Sequence, residues 1–262
     1  MKSSKISTMK LLRFGITHPF SSLKYIKERF YLNENVRHVF DLSLCNRFNN
    51  KLNFVEYISG DFCKQELFKN AEFIYILKLK EIKNLYGEFL PSILSMEEAQ
   101  ILYYLVRHFK PKIVVETGVS DGISSLMILT AIKENNFGHL YSVDLPEVGM
   151  PRLYGKEPGW IVEDELRENW SLIFGKSSYR LPALLKQLKE IDFFMHDSEH
   201  SYKNMKFEFL CAIKHLKKGG IILSDDASSN NSLQESLFIN NINQTQIALL
   251  KSNETDFAGL QI

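Results

Sequence analysis

The sequence predicts an α/β fold built on a doubly wound, mostly parallel sheet of seven strands, and three observations carry that expectation. From Lys112 onward, short apolar runs alternate with amphipathic helical stretches, the pattern of buried parallel strands joined by crossover helices. Several of these runs end in an aspartate or lead into glycine, as strands do where they turn towards a ligand. The chain has 262 residues, 45% of them hydrophobic, enough for one large core and an extension.

Strands are expected over residues 112–117, 140–144, 172–175, 192–197 and 221–225, with helices over 123–135, 181–189 and 202–216. Gly219-Gly220 reads as the stop of the last helix. Two further runs, 246–251 and 257–262, complete the seven strands as a hairpin at the sheet edge. A helix also starts at Ser95, where Glu97 and Glu98 follow a capping serine and Ile101, Leu102, Leu105 and Val106 recur at helical spacing; Pro111 closes it. Before Ser95 only helical patterns such as 71–86 stand out. Residues 1–94 are therefore expected as a helical N-terminal extension, a cap or homo-oligomerisation arm, and 95–262 as the main domain. The Asn/Ser-rich stretch 227–236 reads as a loop.

Charge excludes some roles. Lys+Arg 32 against Asp+Glu 31 gives a net charge of +1, so nothing in the balance calls for nucleic acid. The N-terminus alone is basic: Lys2, Lys5, Lys10, Arg13, Lys24, Lys27 and Arg29 are interleaved with apolar residues, as on an ordinary solvated face or on a membrane- or partner-docking one. Cys45, Cys63 and Cys211 are scattered, which speaks against a disulfide framework and a structural zinc site and for a reducing, cytoplasmic setting. No apolar run reaches the ~18 residues of a membrane span, and no secretory signal is read at the start.

The residues that point to chemistry lie at the strand ends. In VVETGVSDGISS, residues 114–125, a buried strand runs through Glu116, Gly118 and Gly122 into a helix. Glycines there let backbone approach a ligand, and the helix start offers N–H groups to an anion. Their four-residue spacing departs from Gly-x-Gly-x-x-Gly and favours an S-adenosylmethionine loop over a nicotinamide loop. Asp144, ending LYSVD, stands where acidic residues accept ribose hydroxyls in doubly wound sheets, although a lone aspartate also forms turns. FGKSS, residues 174–178, offers a turn that brings Ser177 towards an adenine ring. Asp197 ends one strand and Asp225-Asp226 the next; adjacent parallel strands bring these carboxylates together, and they repel unless a cation neutralises them. Oxygen-only ligands suit Mg²⁺ or Mn²⁺ better than zinc. The plainer reading makes Asp225 and Asp226 loop formers and His196 and His200 surface residues.

The three segments HDSEHSY, GGIILSDD and VVETGVSDGISS resemble the methyltransferase domain 24 family, class I methyltransferases of the catechol and macrolide-sugar O-methyltransferase type, over roughly residues 95–227. The resemblance implies a Rossmann-like fold and S-adenosylmethionine as cofactor. It assigns Glu116, Gly118, Ser120, Gly122 and Ser124 to the cofactor's amino-acid end, Asp144 to its ribose, and Ser177 and Ser178 to its adenine. It matches Asp197, Asp225 and Asp226 to the family's metal ligands. Catechol-type enzymes carry a lysine base three residues after the first ligand. This chain carries His200 there, as macrolide-sugar relatives do, which points to a small-molecule or sugar hydroxyl.

The expected reaction is in-line methyl transfer to that hydroxyl, with Asp197 and His200 as catalytic residues, a divalent metal lowering the hydroxyl's pKa, and His200 taking its proton. The long segment 145–160 is read as closing over the site, with Tyr154 and Trp160 available to stack on an acceptor or simply to pack. Two rivals stand beside this reading. One is a metal-dependent hydroxylase on the same fold, using His196, His200 and a carboxylate; the other is a non-catalytic cofactor-binding scaffold.

Overall fold

The computed structural model describes residues 38–87, 94–145, 156–252 and 255–262. The basic N-terminal segment, Tyr154 and most of the 145–160 connection lie outside them. Residues Phe40–Ile262 form one compact unit. Its sheet has eight strands: β1 (Asn46–Phe48), β2 (Ile113–Thr117), β3 (His139–Asp144), β4 (Trp170–Phe174), β5 (Ile191–His196), β6 (Leu216–Ser224), β7 (Ala248–Lys251) and β8 (Asp256–Gln261). They run in the order β1-β7-β8-β6-β5-β2-β3-β4. Only β8 is antiparallel to its neighbours, β6 and β7; every other pair is parallel.

Helices cover both faces, and the strands are apolar on both sides as a result. Alternate residues go to opposite cores. Phe193, Met195, Ile221 and Leu223 face one side, where α1 (Lys51–Ser59), α2 (Gln65–Tyr86), α3 (Met96–Phe109) and α4 (Ile123–Asn135) pack. Phe194 and Ile222 face the other, with α5 (Ser177–Leu188), α6 (Tyr202–Ile213) and α7 (Ser232–Ile239). β2 lies between β3 and β5, so the chain leaves it in one direction and returns on the other side. That switch point opens a crevice at the carboxyl ends of β2 and β5.

The structure departs from expectation in four places. The eighth strand is β1, which pairs with β7 and takes the edge expected for the C-terminal hairpin. The described residues among 40–94 are not apart from the main domain: α1 and α2 pack on it, and Phe54, Ile58, Phe68 and Ile82 are buried in the same core as the sheet. Gly219-Gly220 do not stop a helix. The helix ends at Ile213, and Gly219, at φ +81°, lies within β6 and donates its N–H to the Ile262 carbonyl. The Asn/Ser-rich stretch contains α7, because Leu233 and Leu237, one helical turn apart, are wholly buried. Among the described residues no helix is long and apolar enough to cross a membrane.

The shared core predicts that Phe54→Ala, though far from the strand ends, lowers unfolding free energy by about 3–5 kcal/mol in urea titrations. A loss below about 1 kcal/mol would show that α1 does not share the core.

Candidate active site

The glycine loop leaves β2 at the switch point and packs directly on the acidic strand end. Gly118, at φ +87°, has no room for a side chain: a Cβ would lie 2.0 Å from the carbonyl oxygen of Asp197. The Gly118 N–H donates to Val143 O at 2.9 Å and that of Asp197 to Thr117 O at 2.8 Å, so β3, the loop and β5 are stitched together. Gly122, at φ +105°, opens α4, and a Cβ there would meet Gly159 Cα at 2.7 Å. Residues around Gly159 therefore back the loop. Gly159 N–H donates to Ser120 O at 2.8 Å, and the Trp160 indole donates to Asp121 Oδ1. Trp160, expected over an acceptor or in packing, holds the loop through this hydrogen bond.

Glu116 lies wholly buried beneath the loop. Its Oε2 accepts from Ser125 at 2.6 Å and Ser142 at 2.7 Å, and Ser142 Oγ also accepts from the Trp170 indole at 2.9 Å. Burial pushes the Glu116 carboxyl up to about 7, against the Ser124, Ser125 and Ser142 hydroxyls, which hold it down. Ser124 is buried at the start of α4, and Ser120 takes a left-handed φ of +52° in the loop. Asp144 Oδ2 accepts the N–H groups of Val119 at 2.6 Å and Ser120 at 3.0 Å, which clamps the loop to the end of β3. Ser177 begins α5 and donates to Asn204 Oδ1 at 3.3 Å, while Ser178 is exposed beside it.

On the other side of the switch point, β5 and β6 run in register with His196 beside Ser224, so Asp197 and Asp225 leave the sheet together. The Asp225 N–H donates to His196 O at 2.9 Å. His200 comes back over them. Its Nε2 makes no hydrogen bond and lies 3.7 Å from Asp197 Oδ1 and 3.9 Å from Asp225 Oδ2. One donor atom from each of Asp197, His200 and Asp225 lies within 4.8 Å of the others. Asp226 does not join this close group. At φ +47° it turns its carboxylate to the far side of the imidazole, 2.9 Å from Nδ1. The three-aspartate set expected from sequence is thus two aspartates and a histidine here, with Asp226 orienting the ring.

The site crowds acidic groups together, and their protonation answers to that crowding. Burial and the nearby Asp197 and Glu98 push Asp225 far above the usual carboxylate range. Burial alone would lower His200, but Asp197, Asp226 and Asp225 overcome it and hold the ring protonated. Glu98 was legible only as a helix-capping residue, and it does close the capping box, accepting Ser95 N–H at 2.8 Å. It also accepts Asp256 N–H at 3.3 Å and, pushed up to about 7 chiefly by burial, adds a buried acidic group that raises Asp225. His196, the second imidazole of the hydroxylase arrangement, is buried with Nδ1 on Glu208 at 2.7 Å and is not among the donors that come within 4.8 Å of one another. Two clustered carboxylates beside an imidazole nitrogen that makes no hydrogen bond fit a divalent cation.

A family model described as a methyltransferase domain, the methyltransferase domain 24 family, matches residues 115–227, from β2 to just past Asp226. Among solved structures, the chain is similar to the S-adenosylhomocysteine-bound methyltransferase PaMTH1 of Podospora anserina, at 15% identity and a TM-score of 0.49, covering 70% of this chain and 86% of that one. It is similar also to the O-methyltransferase TomG of Streptomyces achromogenes, involved in tomaymycin synthesis and solved with S-adenosylmethionine, at 15% identity and a TM-score of 0.49, covering 76% and 99%. No curated protein sequence matches the chain. The matched segment is the one that carries both the glycine loop and the acidic strand ends, so the likeness to a methyltransferase domain falls on the residues that the geometry brings together.

Proposed function

We propose that the chain is a class I, S-adenosylmethionine-dependent O-methyltransferase acting on a small-molecule or sugar hydroxyl with the help of a divalent cation, Mg²⁺ before others. The observation that carries the reading is the meeting of Asp197, His200 and Asp225 against the glycine loop, where acceptor and methyl donor must meet.

When bound, the cofactor supplies an electrophilic methyl on a sulfonium, and a cation held by Asp197 and Asp225 supplies the charge that lowers an acceptor hydroxyl's pKa. The chain does the rest. Gly118 and Gly122 let backbone approach the amino-acid end, with Ser120 and Ser124 beside them and Glu116 bracing the loop from below. Asp144 stands at the ribose position, and Ser177 with Ser178 at the adenine end. Asp226 holds His200 Nδ1, so that Nε2 faces the acidic group; a cation held by Asp197 and Asp225 would offset the negative charge that keeps the ring protonated, and Nε2, once neutral, would be the atom placed to take the hydroxyl's proton. Orientation of the acceptor oxygen behind the methyl supplies much of the remaining acceleration.

The ligand geometry also favours a second reading, in which His200 is itself a cation ligand in place of Asp226. His200→Ala separates the two. As a base, its loss removes turnover and leaves Mn²⁺ affinity intact; as a ligand, its loss removes both.

Asp197→Ala is expected to abolish both turnover and Mn²⁺ binding, and EDTA to silence the wild type until Mg²⁺ is restored. Full activity in EDTA would sink the cation. The chain's two tryptophans, Trp160 and Trp170, are both hydrogen-bonded into the loop and its supports. Titration with S-adenosylhomocysteine should therefore give a saturable change in tryptophan fluorescence, and Asp144→Ala should weaken that binding by about tenfold, or ~1.4 kcal/mol. An unchanged affinity would remove Asp144 from the cofactor site.

A further inference from the structure

Behind the acidic group lies a second carboxylate that the proposed reaction does not use. Glu208, on α6, is wholly buried. Its Oε2 accepts from His196 Nδ1 at 2.7 Å and from Thr117 Oγ1 at 2.6 Å, and its Oε1 accepts from Ser198 Oγ at 2.8 Å and Asn204 Nδ2 at 3.0 Å. These four donors satisfy both oxygens. Two of them, His196 and Ser198, are the residues on either side of Asp197.

We propose that Glu208 is a positioning residue: it fixes the strand end that carries Asp197 so that this carboxylate can bind a divalent cation together with Asp225. The inference rests on the cation reading above and goes beyond it by naming what holds the ligand in place. Three contacts leave the Asp197 backbone little freedom. Its N–H is bonded to Thr117 O, its carbonyl presses on Gly118 with no space between, and both neighbouring side chains are tied to one buried anion. The Asp197 side chain, by contrast, is partly exposed and points towards His200.

A buried carboxylate tolerates little movement of its donors, since losing one leaves charge uncompensated in a low-dielectric interior. Burial raises the Glu208 carboxyl, but His196, Ser177 and Thr117 more than offset this and hold it down at about 2, so the anion persists at any working pH. Cation sites demand ligand placement to within a few tenths of an ångström. A glutamine at 208 keeps the volume but sets an amide N–H₂ against one of the donors, which must move. On one side His196 Nδ1 loses its acceptor; on the other Asn204 Nδ2 does while the Ser198 hydroxyl turns from donor to acceptor, and either change loosens the hold on the flanks of Asp197.

The test compares Mn²⁺ and S-adenosylhomocysteine affinities, by calorimetry, in the full-length wild type and in Glu208→Gln, Ser198→Ala and Thr117→Val. Glu208→Gln is expected to weaken Mn²⁺ by about tenfold or more, as loss of ligand-orienting partners does elsewhere. The milder Ser198→Ala, which removes one hydrogen bond beside Asp197, is expected to weaken it by about threefold and keeps the test open if the first variant does not fold. Thr117→Val removes a bond to the same anion from the opposite side; it should lower thermal stability and leave Mn²⁺ within about twofold. S-adenosylhomocysteine affinity should stay within about twofold throughout. Mn²⁺ affinity unchanged in Ser198→Ala and in any folded Glu208→Gln would overturn the role of Glu208, as would a loss in Thr117→Val that simply follows stability. A wild type that binds S-adenosylhomocysteine but no Mn²⁺ would overturn the cation reading itself, and this role with it.

Discussion

Crowding of carboxylates at the ends of parallel strands is the constraint on which the rest of this structure depends. Asp197 and Asp225 leave adjacent strands in register, Glu98 is buried beside them at the start of α3, and Asp226 follows at once. Against these stands one imidazolium, His200. Like charges this close in a poorly solvated crevice destabilise the fold unless something positive is shared among them. The protein answers in part by protonation and in part by geometry, with the Asp226 backbone held at a positive φ so that its carboxylate faces the imidazole. Under the proposed function, a cation between Asp197 and Asp225 would complete the neutralisation.

The glycine loop and the acidic strand ends are in direct contact. The contact between Gly118 and the Asp197 carbonyl joins them backbone to backbone, and Thr117 connects the end of β2 to Glu208 while it receives the Asp197 N–H. The glycine loop is fixed from three further directions: Asp144 from β3, Glu116 from below, and the turn at Gly159 and Trp160 from outside. Such a loop is preorganised. It would not have to be ordered by a ligand, and under the proposed function the free energy of binding would go into holding the cofactor.

The strand ends were legible in the sequence because each breaks a continuous apolar run with a residue that has no place in a core. Asp144, Asp197 and Asp225 all stand out this way, and the meeting of Asp197 with Asp225 followed from parallel topology alone. Glu98 did not stand out, because the capping box explains it locally and its second role depends on α3 packing across the sheet. Glu208 sits on a helix whose sequence reads as amphipathic, and nothing local says that its carboxylate meets three other segments. The strand β1, Asn-Arg-Phe, is an edge strand only three residues long and carries no alternation to detect. The helix α7 was masked by serine and asparagine, whose preference for loops gives way to the burial of Leu233 and Leu237.

The central claim is that the acidic strand ends bind a cation beside the methyl donor. It is tested most directly by anomalous diffraction at the manganese edge from crystals grown with Mn²⁺ and S-adenosylhomocysteine. The account predicts a single strong peak within coordination distance of Asp197 and Asp225, with the cofactor lying along the glycine loop between Gly118 and Asp144. Well-ordered cofactor with no anomalous peak at those carboxylates, and His200 still bridging them, would contradict it.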